Sequence, residues 1–68
     1  MSDQIEIAGA RRALFTPETL AAYLSLSERT VRELLRRGDV ASYKIGGARR
    51  IDPEDVDRYL ARHRKEAA

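Results

Sequence analysis

The sequence predicts a mainly α fold with a small β-hairpin, a winged helix-turn-helix running helix, helix, hairpin, helix in one compact domain. Three observations predict it. Short segments with apolar residues at helical spacing each follow a capping residue; only SLS separates the first two; and a Gly46-Gly47 pair interrupts the β-branched and aromatic stretch DVASYKIGGARRI.

Taken in order, residues 1–13 show no sustained period and contain Gly9, which predicts a flexible N-terminal arm in which IEI could add a short strand. The domain is expected over residues 14–63 and a frayed tail over 64–68. In TPETLAAYL, Thr16 stands before a proline suited to the first helical position, so its hydroxyl can accept from an unpaired N–H of the first turn. Leu20, Ala21 and Leu24 then share a face, giving a first helix over about 17–24. Ser27 caps a second helix, ERTVRELLRR, which Gly38 ends because a left-handed cap strains glycine least. Val31, Leu34 and Leu35 form its apolar stripe, and Leu26 in the turn is expected to plug the space between the helices.

The hairpin admits two registers. A two-residue Gly46-Gly47 loop pairs Tyr43 with Arg50, whereas a three-residue loop ending at Ala48 pairs Tyr43 with Ile51 and Lys44 with Arg50. The second is preferred on the sequence because it puts Tyr43, Ile45 and Ile51 on one face and Lys44 and Arg50 on the other. A third helix follows in DPEDVDRYLARHR, with Asp52 as cap, Pro53 first, Glu54 and Asp55 at the positive end of the helix dipole, and Val56, Tyr59 and Leu60 as the buried stripe.

With 68 residues the chain supports one small core, and with no cysteine and a single histidine it has neither a disulfide framework nor a Cys/His zinc site, so no metal or cofactor is expected. No apolar run approaches the roughly 20 residues of a membrane span, so no membrane contact and a cytoplasmic location are expected. Catalysis is not expected either. No nucleophile stands beside a histidine, Asp55 and Asp57 face different sides of their helix, and the glycines of IGGA lead into a strand rather than a phosphate-cradling helix. Tyr23, Tyr43 and Tyr59 fall at apolar spacings and read as core or core-edge groups; His63 reads as exposed and idle.

The net charge is only +2, yet residues 27–50 carry seven basic groups against three acidic ones while each flank sums to −1. Such a concentration is the footprint of a polyanion binder, and double-stranded DNA is the expected partner. In a helix-turn-helix the second helix enters the major groove, which makes Ser27, Arg29, Thr30, Arg32, Glu33 and Arg36 its candidate DNA contacts. Arginine pairs with guanine O6 and N7, and glutamate accepts from cytosine N4. The chain has no asparagine and its only glutamine, Gln4, lies in the arm, so readout of G·C pairs is expected to dominate. On the wing, Lys44, Gly46, Gly47, Arg49 and Arg50 are the candidates for the backbone or the adjoining minor groove, and Thr16 at the start of the first helix is a candidate phosphate contact. The competing reading of the same charges is a solvated helix face laced by pairs such as Glu28–Arg32 and Glu33–Arg37.

From about Phe15 to Leu60 the chain resembles the excisionase family of small DNA-binding proteins, related to MerR-like winged helix domains, most tellingly in SERTVRELLRRGDV, YKIGGARRI and DPEDVDRYL. It departs from that pattern at Ala41, where many relatives carry proline, and at Arg32, where an aromatic is common. The resemblance implies a protein that assembles with further copies of itself on tandem sites, bends DNA and directs an integrase towards excision. Relatives of the same fold regulate transcription, and a protein-interaction module for an acidic partner is the remaining alternative.

Overall fold

A computed structural model of the chain describes residues 13–65, so the expected strand in the arm and the end of the tail lie outside the described residues. The elements follow the expected order: α1 (Pro17–Leu24), α2 (Glu28–Arg37), β1 (Tyr43–Ile45), β2 (Ala48–Arg50) and α3 (Pro53–His63). This is a winged helix-turn-helix.

Each helix starts where its first turn finds a side-chain acceptor. Thr16 Oγ1 accepts from the Thr19 N–H at 3.0 Å and Thr19 Oγ1 accepts from the Thr16 N–H at 2.8 Å, a reciprocal box ahead of Pro17. Ser27 Oγ accepts from the Thr30 N–H at 3.0 Å, and Asp52 Oδ1 from the Glu54 N–H at 2.8 Å. The ends are equally local. Gly38 closes α2 at φ +80°, but the residue closing α1 is Ser25, a non-glycine held at φ +58° where the Leu26 N–H reaches back to the Ala21 carbonyl at 2.9 Å.

Leu20, Ala21, Val31, Leu34, Leu35, Val40, Ile51 and Val56 form the core, with Phe15, Leu24 and Tyr59 packed against it. Every element contributes to it except the two strands, and the residue just after β2, Ile51, is fully buried. Three expected apolar positions lie elsewhere: among the described residues Leu26 and Leu60 are each 39% exposed, and Tyr43 is half exposed. Tyr23 is also exposed, although its ring lies against Phe15 with centroids 5.1 Å apart.

The hairpin adopts the two-residue-loop register and not the three-residue one expected. Tyr43 faces Arg50, Lys44 faces Arg49 and Ile45 faces Ala48 across a two-residue turn with Gly46 at φ +55° and Gly47 at φ +87°. Positive φ at both positions is the turn whose twist matches that of the strands. A second cause is distant in sequence. Ile51 donates to the Phe15 carbonyl at 2.9 Å and accepts from the Phe15 N–H at 2.8 Å, so its backbone groups serve Phe15 and are not available to pair with Tyr43. One residue of slip exchanges the faces. Tyr43, Ile45, Ala48 and Arg50 share the outer side, while Lys44 and Arg49 share the side that Ile51 continues into the core.

Candidate nucleic-acid interface

The exposed side of α2 carries its charged residues in two flanks. On one, Arg32 and Arg36 meet Arg49 of β2, and with Pro17 and Leu35 they line a cleft of about 150 Å³ between α2, the start of α1 and the wing. On the other, Arg29, Thr30, Glu33 and Arg37 line a shallow depression. The single face expected for Arg29, Arg32, Glu33 and Arg36 is therefore a broad surface, and Arg37 belongs to it. Arg37 was legible as the i+8 neighbour of Arg29 and the i+4 neighbour of Glu33, one helical row the stripe count left out. No residue of α3 lines either depression. Its C-terminal part turns instead to the end of α2, where Arg62 donates to the Asp39 carbonyl.

Most of these cations are already engaged. Arg32 Nη2 lies 2.9 Å from Glu18 Oε2 of α1 and 3.6 Å from Glu28 Oε1 of its own helix. Arg36 clasps both carboxylate oxygens of Glu33, with Nε to Oε1 at 3.2 Å. Arg37 takes Asp39 at 2.9 Å rather than the expected Glu33. The Arg36 hydrogen bonds hold the Glu33 carboxyl below the usual range and raise the Arg36 guanidinium in turn. Glu18 is lowered as well, first by its own backbone N–H, then by the Thr16 hydroxyl and the Arg32 charge. Arg29 and Lys44 carry no carboxylate partner among the described residues.

The hydroxyls at the start of α2 are paired with each other, Ser27 Oγ donating to Thr30 Oγ1 at 2.9 Å. Thr16 sits next to the cleft through Pro17 with its hydroxyl engaged in the α1 cap. On the wing, Lys44, Gly46 and Gly47 are exposed at the tip. The two arginines diverge: Arg49 turns inward and donates to Ser42 Oγ at 3.1 Å, and Arg50 lies on the Tyr43 side, folding back to the Arg49 carbonyl at 2.8 Å. His63 is exposed as expected but not isolated, its ring lying against Tyr59 with centroids 4.4 Å apart.

Among the described residues no group of three or more His, Cys, Asp or Glu side chains is placed to hold a metal ion, and no helix is long and apolar enough to cross a membrane.

The sequence model of a family described as "Helix-turn-helix domain" matches residues 14–64. A Bacillus subtilis (strain 168) protein described as "Uncharacterized protein YvgK" is 36% identical over 45 residues, which is 66% of this chain and 15% of that protein. The chain thus spans a small part of that relative's length. No solved structure matches it.

Proposed function

The chain belongs to the helix-turn-helix domain family, and on that premise we propose that it binds double-stranded DNA and reads it by sequence, with α2 in the major groove and the wing on the adjoining minor groove or backbone. One observation carries the proposal: Arg32 and Arg36 of the groove-sized helix and Arg49 of the wing line the same cleft, so helix and wing present guanidinium groups to one side of the molecule. Around them Ser27, Arg29, Thr30, Glu33 and Arg37 serve the groove, Lys44, Gly46, Gly47 and Arg50 serve the wing contact, and Thr16 stands where a phosphate would approach α1. A surface of this size buries only about 600–1,000 Å² of protein on DNA. Specific binding then calls for neighbouring copies. Together with the resemblance of SERTVRELLRRGDV, YKIGGARRI and DPEDVDRYL to excisionases, this favours an excisionase-like role, in which copies on tandem sites bend the DNA and direct an integrase towards excision.

A second reading is a small MerR-like transcription regulator, which the shared cleft of Arg32, Arg36 and Arg49 supports equally. Selection of bound fragments from the source organism's DNA, followed by footprinting, separates the two. Tandem sites at an attachment locus are expected for excision control and isolated promoter sites for transcription. Absence of DNA binding at low salt would overturn both and leave the interaction-module alternative.

A further inference from the structure

The least expected carboxylate on this surface is Glu18. Glu18 belongs to α1, 14 residues from Arg32 in sequence, yet its Oε2 accepts from Arg32 Nη2 at 2.9 Å. The carboxylate is itself kept charged by its own backbone N–H and the Thr16 hydroxyl, both at the start of α1. Glu33 treats Arg36 in the same way with both oxygens. A fixed carboxylate beside a guanidinium repels an approaching phosphate and lowers the charge that would displace counterions. It does not block the arginine altogether, since the fork has five N–H donors and Glu18 takes one of them. The edge of a guanine carries no net charge and meets no such repulsion.

Resting on the DNA-binding reading above, we infer that Glu18 is a specificity-determining residue: it withholds Arg32 from phosphates and keeps it for base edges, as Glu33 does for Arg36, so that DNA of the wrong sequence is held weakly. Arg29, Lys44, Arg49 and Arg50 have no carboxylate partners among the described residues and are the cations open to the backbone. The simpler role for Glu18 is that of a first-turn acid favouring the α1 dipole, which would touch stability alone.

The test uses the full chain and its Glu18→Gln, Arg32→Ala and double variants, titrated onto a random-sequence duplex and onto the duplex recovered by selection, across a range of salt, with circular dichroism to verify folding. Glu18→Gln is expected to raise affinity for the random duplex about two- to fivefold, the scale of an exposed ion pair, and to steepen the log–log salt slope by about one. The selected duplex gains less, so the ratio between the two falls, and the substitution has no effect on either once Arg32 is alanine. Unchanged or weaker binding to the random duplex overturns the inference, as does an equal rise in the Arg32→Ala background, which would mark a diffuse charge effect. The Glu33→Gln and Arg36→Ala cycle reads the same proposal should Glu18→Gln fail to fold. Failure of the unsubstituted chain to bind either duplex at low salt would instead remove the DNA-binding reading, and the inference with it.

Discussion

Arg32 and Lys44 show how differently two cations of one surface are held. Arg32 is held by Glu18 and Glu28 at the side of α2, whereas Lys44 stands exposed near the wing tip with no carboxylate at hand among the described residues. Replacing Arg32 by alanine is therefore expected to relax base preference at one G·C position by about 1–3 kcal/mol. Lys44→Ala is expected to weaken binding to all sequences alike and to flatten the salt slope by about one. Equal, sequence-independent losses from both would count against direct readout by α2. The Glu33–Arg36 pair gives a second expectation at this scale. Because Arg36 holds the Glu33 carboxyl low, the pair stabilises the fold above the ordinary glutamate pKa of about 4.3, and that contribution disappears as pH falls through the depressed value. A carboxyl-carbon NMR titration should place Glu33 below the ordinary value in the unsubstituted chain and return it upward in Arg36→Ala.

At the scale of single elements, the wing rests on its turn and on one remote bridge. A Cβ built at Gly46 or Gly47 meets no atom within 4 Å, so the strain of a substitution there comes from positive φ alone. Gly47→Val is accordingly expected to lower stability by about 1–2 kcal/mol, seen as a fall in melting temperature, and to weaken DNA binding further if the wing tip is displaced. For α1 the comparable test is Thr16→Ala. Loss of the reciprocal cap with Thr19 should destabilise the domain by about 0.5–2 kcal/mol, and a loss of DNA affinity beyond that explained by unfolding would mark Thr16 as a phosphate contact too.

Taken as a whole, the described residues form a small apolar core carrying a positively charged surface on α2 and the wing. Ile51 joins the two. Its side chain is fully buried and its backbone ties the wing to Phe15, so Ile51→Ala should cost about 2–5 kcal/mol. In a domain this small that loss is a large part of total stability. Denaturant unfolding measures it, and a loss near zero would mean that the core does not centre on this residue. The charge arrangement makes its own demand on the whole molecule: log K for DNA must fall linearly with log salt, by about 0.9 for each phosphate neutralised.

The chain's own sequence determined where each helix begins, where α2 ends and where the positive charge gathers. Thr16 with Pro17, Ser27, Gly38, and Asp52 with Pro53 are short-range signals, satisfied within three or four residues of themselves, and every one sits at the boundary it announced. Only the tertiary structure decided the register of the wing, the pairing of Tyr43 with Arg50, and the capture of Arg32 by Glu18. Those outcomes depend on groups far apart in the chain competing for the same donor, acceptor or charge: Phe15 against Tyr43 for the backbone of Ile51, and α1 as well as α2 for one guanidinium. Local pattern carries no record of such a competition, because its result is set by which elements the core brings side by side.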